Sequence, residues 1–327
     1  MIVFFVAAGS ESTHACLRRQ KGGPPVRVFS YDWLFRQRSL PTATHIFTDF
    51  DKLSHGGIRR ASTIYNRILA SGGHALNSPA RARQRYALLR RLHQAGINRF
   101  GVYRVETGEM PEHYPVFVRN ECGHYGPLTE LIADRDTLLD AIESLISSGE
   151  PERNLIIVEY AAEAIRPNLF RKYATFRIAD RLFPATCVHD TKWQTRSGHK
   201  GIAGQQLYEE ENAILRDDPY RDTLRQVFEL AEIEYGRADF GIVEGKPQIY
   251  EINTNPLVPR PGSHPFSIRE DSLRLVWSNY LEGLAVVDGW VGPRSALPSA
   301  RIRLPYPGPR WWRSLSKRWK KRRKSKL

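Results

Sequence analysis

Four polar residues in two neighbouring segments have the types and spacing of a metal site. Residues 236–256 read as two β-strands joined by a turn with a central glycine. Pairing around that glycine places Asp239 opposite Glu251 and Arg237 opposite Asn253. Because side chains alternate between the two faces of a strand, all four share one face. Opposed carboxylates repel unless a proton or cation lies between them, and Asp, Glu and Asn oxygens suit Mg²⁺.

The second face of the same hairpin is apolar. It is predicted to carry the alternate side chains Ala238, Phe240, Ile242, Tyr250 and Ile252. The hairpin therefore has a polar face for chemistry and an apolar face. An exposed hairpin with ordinary polar residues is the simpler interpretation, and the placement of four such residues on one face argues against it.

The elements before the hairpin alternate between strands and helices. In the first eighty residues, the pattern predicts a small α/β domain with strands at 2–6, 44–48 and 75–76 and a helix near 60–71. Residues 9–42 show no clear period. Further along, we expect a basic helix over 80–94, a strand over 115–119, a helix from Asp134, and an apolar strand over 155–158 that ends at Glu159. The remaining expected elements are a hairpin over 173–189, a polar loop over 191–204, and helices over 219–234 and 266–284.

Length and charge limit the function classes. A chain of 327 residues with 41% hydrophobic residues can bury a large core and hold two or three subdomains. The net charge is +14, but residues 301–327 hold 12 Lys/Arg and no acid, which leaves +2 for the rest. The three cysteines are widely spaced, which argues against a disulfide framework or structural zinc and favours a reducing, cytoplasmic compartment. No segment has the 18 or so apolar residues of a membrane span.

The order of these motifs resembles that of ATP-grasp enzymes. A strand that ends in a basic residue runs into a two-glycine loop, an apolar strand then ends in Glu, and the Arg/Asp/Glu/Asn hairpin follows. The resemblance covers roughly residues 80–260 and is strongest at 237–239 and 250–256. The pattern is similar to D-alanine-D-alanine ligases and ribosomal-protein glutamate ligases, which grip ATP and activate a carboxylate as an acyl phosphate for attack by an amine.

This resemblance implies a mixed α/β and α+β architecture with four parts. These are an N-terminal α/β domain over 1–80, a lid subdomain over 81–165, a catalytic subdomain over 166–300, and a basic Trp-rich tail over 301–327. It implies that the protein binds ATP. It also implies a Mg²⁺ ion, with Mn²⁺ as an alternative, held by Asp239, Glu251 and Asn253. Arg237 would stabilise charge near the transferred phosphoryl group, in line with the positioning and charge neutralisation that phosphoryl transfer needs.

The resemblance also implies nucleotide-binding residues in the lid. The family places lysines where this chain has Arg85 and Arg119, and arginine keeps the charge but changes the geometry. The loop glycines Gly123 and Gly126 would admit backbone N–H groups to the phosphates. Glu159 matches the residue at the adenine pocket. Candidates for contact with the phosphates are Arg177, Lys192 and Lys200, of which Lys192 is favoured, and His264 is a candidate at the acceptor side.

Three functions remain open on the sequence. The first is a ligase that joins a carboxylate to an amine or a thiol, with a peptide-like or cell-envelope substrate. The second is a kinase that phosphorylates a hydroxyl through the same site. The third is a non-catalytic nucleic-acid-binding protein, suggested by the two arginines in place of lysines.

The basic tail has three interpretations of its own. From residue 305, prolines lead into a segment rich in Lys and Arg that contains Trp311, Trp312 and Trp319. If the segment is helical, its composition fits an interfacial anchor on an anionic leaflet, which would place the protein peripherally at the inner membrane face. The same residues could bind nucleic acid through phosphate contacts and stacking, or form a solubilising tail.

Overall fold

The computed structural model describes residues 1–20, 23–122, 126–196, 198, 201–258, 260–288 and 301–304. Its strands are β1 Ile2–Val6, β2 Val26–Ser30, β3 Ser39–Pro41, β4 Thr44–Phe47, β5 His74–Leu76, β6 Val102–Arg104, β7 Val116–Asn120, β8 Leu155–Glu159, β9 Ala164–Arg166, β10 Leu169–Ile178, β11 Arg181–Asp190, β12 Tyr235–Val243, β13 Lys246–Asn253 and β14 Arg301–Arg303. Its α-helices are α1 Ala15–Arg19, α2 Tyr31–Leu34, α3 His55–Ala70, α4 Arg85–Gln94, α5 Arg135–Ser147, α6 Gln205–Asp217, α7 Arg221–Ala231 and α8 Ser267–Asp288.

The N-terminal strands form a parallel sheet in the order β2-β1-β4-β5. Both faces of β1 are buried, as the continuous apolar run of this strand predicts. Ile2 and Phe4 pack in one cluster with Phe176 of β10 and Tyr280 of α8. Val3 and Phe5 pack on the opposite face in a cluster formed with α2, α3 and β14. One face of the sheet therefore packs on the rest of the protein, and the other face is covered by α2, α3 and β14.

The middle of the chain forms an antiparallel sheet in the order β6-β8-β7. The apolar run of β8 lies at its centre, which explains why all five residues of that strand are buried. Helix α5 covers one face through Leu138 and Ile142. Asp134 is the N-cap of this helix, and its Oδ1 accepts a hydrogen bond of 2.9 Å from the backbone N–H of Thr137.

The third sheet is antiparallel, with the order β11-β10-β12-β13 and with β9 paired to β10. Helix α7 packs its buried residues Leu224, Val227, Phe228 and Ala231 against the face that carries Ala238 and Phe240. The predicted hairpin over 173–189 is present as β10 and β11. The mixed α/β class, with a parallel sheet and antiparallel sheets, is confirmed.

The structure adds several elements to those predicted and corrects the start of one helix. Residues 9–42 contain α1, β2, α2 and β3, and elements of three to five residues are too short to show a period. The basic helix begins at Arg85 rather than Ala80, because the backbone N–H of Arg83 donates to the Ala231 carbonyl and holds the preceding segment against the end of α7. Helix α6 and strand β9 were not predicted.

Residues 301–304 do not belong to a separate tail. Arg301–Arg303 forms β14, which pairs antiparallel with β3, and Ile302 is buried in the outer cluster of the N-terminal sheet. Three residues flanked by a basic segment carry too little pattern to predict a strand. The tail prediction for 305–327 lies outside the described residues. Among the residues described, no helix is both long and apolar enough to cross a bilayer.

Acid is expected to destabilise the fold through three buried histidines. Burial lowers the pKa of His14 to about 3 and those of His45 and His189 to about 4, and at His189 the charge of Arg171 adds to this effect. Below the ordinary pKa of 6.5 the unfolded chain binds protons that the folded chain excludes. The free energy of unfolding should therefore fall between pH 6.5 and 4, by about 1.4 kcal/mol per pH unit for each histidine.

Urea unfolding at about pH 7.5 and about pH 5.5 measures this loss. The variant His45→Gln removes one titrating group and should make the pH dependence less steep by about one proton. An unfolding free energy that does not change over this interval would contradict the assignment.

Candidate functional site

Strands β12 and β13 place the four predicted residues as their spacing indicates. Asp239 lies opposite Glu251 and Arg237 lies opposite Asn253, which confirms the predicted register. All four line a cleft of about 550 Å³ between the three-stranded sheet and the five-stranded sheet. The hairpin therefore presents two carboxylates, an amide and a guanidinium to one cavity.

A β-bulge at Tyr250 produces this register. The turn contains only Glu244 and Gly245, which both have positive φ, and Val243 pairs with Lys246. Regular pairing from that turn would place Tyr250 opposite Asp239. The pairing shifts between Asp239 and Phe240 instead, so that the next residue, Glu251, faces the aspartate.

The bulge also corrects the prediction for the apolar face. Tyr250 was expected to lie with Phe240 on the face away from the site, but it lines the cleft. Its hydroxyl donates a hydrogen bond of 3.0 Å to the Ala161 carbonyl. The ring lies above Gly241, where a Cβ atom would come within 2.1 Å of the Tyr250 hydroxyl oxygen. Residue 241 must therefore be glycine for this tyrosine to occupy its position.

Asp239 is a buried carboxylate held by two cations. Its side chain is only 3% exposed. The Arg237 guanidinium binds it through Nε at 2.7 Å and Nη2 at 3.0 Å, and Lys172 Nζ lies 3.2 Å from Oδ2. Burial lowers the pKa of Arg237, but the charge and hydrogen bonds of Asp239 together with the Glu251 charge outweigh this effect and raise the pKa overall. The three groups form one charged unit in the cleft wall.

Glu251 connects the hairpin to the helix before the three-stranded sheet. Its carboxylate accepts a hydrogen bond from the Arg85 guanidinium at the start of α4. Arg85 also donates to the carbonyl of Glu121, which follows β7. Arg85 thus ties the hairpin to the end of β7.

Arg119 contributes a charge that its surroundings disfavour. It lies in β7 and lines the cleft. Burial and the nearby guanidinium groups of Arg85 and Arg196 lower its pKa to about 10, although the Glu251 charge opposes the shift. An anion in the cleft would relieve this repulsion. Gly126 lines the same cleft, and a Cβ atom at this position would lie 3.6 Å from the Arg196 side chain, whereas Gly123 is not among the described residues.

Glu159 lies at the cleft but binds the protein backbone. Its carboxylate accepts hydrogen bonds from the backbone N–H groups of Gly101, Glu112 and His113 and from the Tyr103 hydroxyl. Burial alone would raise its pKa, and these four donors lower it overall. The carboxylate therefore holds the three-stranded sheet together, and the residues that follow it, 160–163, line the cleft.

The structure does not bring Arg177 or Lys192 to the cleft. Arg177 lies at the far end of β10, where its Nε donates to the Ala179 carbonyl at 2.7 Å. Lys192 is exposed in the loop after β11, although Trp193 and Arg196 of that loop line the cleft. His264 contacts Tyr208 instead, and Lys200 lies outside the described residues. We assign no site role to Arg177 or Lys192, since neither side chain reaches the cavity.

Sequence reasoning missed Lys172, Arg171 and Trp193. The predicted strand began at Tyr173, so the two basic residues fell outside it, while β10 begins at Leu169. Trp193 packs against Phe117 with 5.0 Å between ring centroids and closes an apolar end of the cleft that suits a flat ring. Lys172 could have been found from the sequence, because it lies one residue before the predicted strand.

The donor set fits a hard divalent cation. The described residues contain no group of three His, Cys, Asp or Glu side chains that could hold a metal, so the site depends on Asp239, Glu251 and the amide of Asn253. Three oxygen-bearing side chains leave coordination positions for phosphate oxygens or water, as is usual for Mg²⁺. Lys172, Arg237 and Arg85 pair with the two carboxylates, and this excess of positive charge suits a polyanion.

Comparison with known proteins supports the fold. The sequence matches no protein-family model, and it matches no curated protein. Among solved structures, D-alanine--D-alanine ligase from Bacillus anthracis is 11% identical with a TM-score of 0.50, over 88% of this chain and 99% of that chain. VanG D-Ala:D-Ser ligase from Enterococcus faecalis is 11% identical with a TM-score of 0.48, over 86% and 98%.

A RimK domain protein from Sphaerobacter thermophilus is 14% identical with a TM-score of 0.44, over 88% of this chain and 99% of that chain. At such low identities a structural match indicates a shared fold and does not indicate a shared function. The match to the Bacillus anthracis ligase and the parallel and antiparallel sheets agree with the predicted architecture. The chain therefore has the ATP-grasp fold.

Proposed function

We propose that this protein is an ATP-dependent ligase that activates a carboxylate as an acyl phosphate and joins it to an amine or a thiol. The observation that carries the proposal is the pairing of Asp239 with Glu251 inside a cleft rich in cations. The Bacillus anthracis enzyme with this fold is named a D-alanine--D-alanine ligase. The identity of the substrates stays open.

The cleft is built for a triphosphate. Arg119, Arg171, Lys172, Arg196 and Arg237 line it together, and they face the anionic charge that a nucleotide carries. At the apolar end, Phe117 and Trp193 provide flat walls for a base. The main chain at 160–163, which follows Glu159 and lines the cleft, supplies groups that can read the edge of that base.

The proposed reaction has two steps. A substrate carboxylate oxygen attacks the γ-phosphorus of ATP and ADP leaves, which forms the acyl phosphate. The amine nitrogen then attacks the carbonyl carbon, phosphate leaves, and the nitrogen loses a proton. In the first step Arg237 and Lys172 offset negative charge on the transferred group, and Arg119 holds the phosphates.

Asp239, Glu251 and Asn253 would hold Mg²⁺, or Mn²⁺ in its place. A bound ion of this kind neutralises phosphate charge and orients the leaving group. Lys172 and Arg85 would then hold the two carboxylates in place, because each contacts one of them directly.

Hydroxylamine trapping tests the ligase proposal against the kinase alternative. The protein is incubated with ATP, Mg²⁺, hydroxylamine and pools of amino acids or peptide-like carboxylates, and both ADP and hydroxamate are measured. Only an acyl phosphate gives a hydroxamate, so a ligase should release the two products together. ADP release that depends on a hydroxyl substrate, without hydroxamate, would instead identify a kinase. Failure of the protein to bind ATP would favour the nucleic-acid-binding alternative.

A further inference from the structure

The outer surface of the N-terminal sheet carries a cluster of arginines that the ATP site does not use. We call Arg36, Arg60, Arg67, Arg301 and Arg303 the arginine face. All five side chains are exposed. They come from the end of α2, from α3 and from β14, and direct contacts hold these three elements together.

The contacts place the five arginines on one surface. Arg60 donates to the Phe35 carbonyl at 2.8 Å, and this connects α3 to the end of α2. Arg67 lies seven residues, about two helical turns, after Arg60 and donates to the Arg303 carbonyl at 3.0 Å. Arg301 and Arg303 flank the buried Ile302, so both point away from the core.

The charge of this surface is not neutralised by nearby acids. Within the part of the chain that the structure describes, none of the five arginines forms an ion pair with a carboxylate. Arg36 donates to the Asp32 carbonyl and Arg301 to the Ser39 side chain instead. Helix α3 contains three arginines and no Asp or Glu. The neighbouring helix α2 contributes one acid, Asp32, against the five arginines. The surface therefore keeps a strong positive charge.

The arginine face lies on the side of the sheet that is turned away from the cleft. The residues of β1 that pack toward the central part of the chain are Ile2, Phe4 and Val6. The residues that pack beneath the arginine face are Val3 and Phe5, on the opposite side of the same strand. A surface bound at this face would therefore leave the cleft accessible.

The chain that follows the arginine face has matching chemistry. The backbone N–H of Leu304 donates to the Arg38 carbonyl, so Leu304 lies beside these arginines. Residues 305–327 contain 10 Lys/Arg, three Trp and no acid. A basic segment rich in tryptophan suits the interface of an anionic membrane, and in the sequence this segment directly follows the residues of β14 and Leu304.

We propose that the arginine face docks onto a membrane surface of anionic phospholipids and orients the protein with its cleft away from that surface. Guanidinium groups bind phosphate oxygens in a bidentate manner, which suits phospholipid headgroups. The aromatic rings at this surface are engaged in internal packing: Arg60 covers Phe35 at 4.5 Å, and Trp33 stacks on Phe29 with 3.8 Å between centroids. Rings held in this way do not offer the stacking platforms of a single-strand binder.

Vesicle co-sedimentation of the full-length chain tests the proposal. The test variant is Arg36→Gln/Arg60→Gln/Arg67→Gln/Arg303→Gln. The control, Arg135→Gln/Arg153→Gln/Arg225→Gln/Lys246→Gln, removes the same charge from exposed residues elsewhere. Vesicles of phosphatidylglycerol and phosphatidylcholine should bind the test variant roughly 600-fold more weakly than wild type, because four basic residues near the surface each contribute about fivefold. The control should stay within about threefold, and neutral vesicles should bind none of the proteins.

A variant with lysine at the same four positions separates charge from folding, since it should recover most of the affinity. Equal binding by the test and control variants would overturn the proposal, because affinity would then follow net charge or the tail alone. Preferential capture by single-stranded nucleic acid in a competition would also overturn it, and would assign the arginine face to a nucleic acid.

Discussion

Asp239→Asn and Glu251→Gln are each expected to reduce ATP-dependent ADP release by about a thousandfold or more. Each substitution keeps the side-chain shape but removes one of the two opposed negative charges that would hold the metal ion. In Asp239→Asn the cations Arg237 and Lys172 also lose the carboxylate that separates them. Their mutual repulsion would displace the groups that line the phosphate path.

Steady-state ADP release at saturating Mg²⁺ measures the loss. Thermal unfolding of each variant shows whether the fold survives, which matters because Asp239 is buried. Glu282→Gln is the matched control. Glu282 lies on α8, outside the cleft, and forms an exposed ion pair with Arg181 of β11. This control should retain full activity. Full activity of either cleft variant would remove the metal assignment.

Arg119→Ala is expected to weaken ATP binding by about 100-fold, in the range found when one partner of a buried charge pair is removed. Arg119→Lys should retain part of the affinity, because the positive charge survives but the two-pronged guanidinium does not. The thermal stability of the ATP-free protein should not fall along with its affinity for ATP. Burial and the neighbouring Arg85 and Arg196 disfavour the charge of Arg119, so its removal should leave thermal stability unchanged or increase it.

Isothermal titration with ATP and a thermal unfolding scan of the same samples provide both readouts. Weaker binding together with undiminished stability would assign Arg119 a direct role in holding the nucleotide. Normal ATP binding by Arg119→Ala would show that the phosphates lie elsewhere. A parallel loss of binding and stability would show that Arg119 supports the fold instead.

Features that depend on local pattern were predictable from the sequence. The alternation within 237–239 and within 251–253 set which of these residues share a face, because a strand without a bulge has a period of two. The apolar run of β8 identified a buried central strand, and Asp134 identified the start of α5. The order of these motifs was enough to predict the fold, which the comparison with a solved ligase supports.

Features that depend on contacts between distant segments were decided by the tertiary structure. Lys172 reaches Asp239 and Arg85 reaches Glu251 across 67 and 166 positions of the chain, and no local pattern records such pairs. Glu159 looked available for a ligand, but its two oxygens accept hydrogen bonds from the backbone of Gly101, Glu112 and His113 and from the Tyr103 hydroxyl.

The hairpin itself shows how the two levels combine. Local spacing predicted the partners Asp239 and Glu251, but the two-residue turn alone would have paired Asp239 with Tyr250. The bulge restores the pair because Tyr250 finds space above Gly241 and a partner at Ala161, neither of which its own strand supplies. The sequence by itself thus determined which residues alternate toward the site. Packing between the two sheets decided their final register and which cations surround them, because those free energies arise only when distant segments meet.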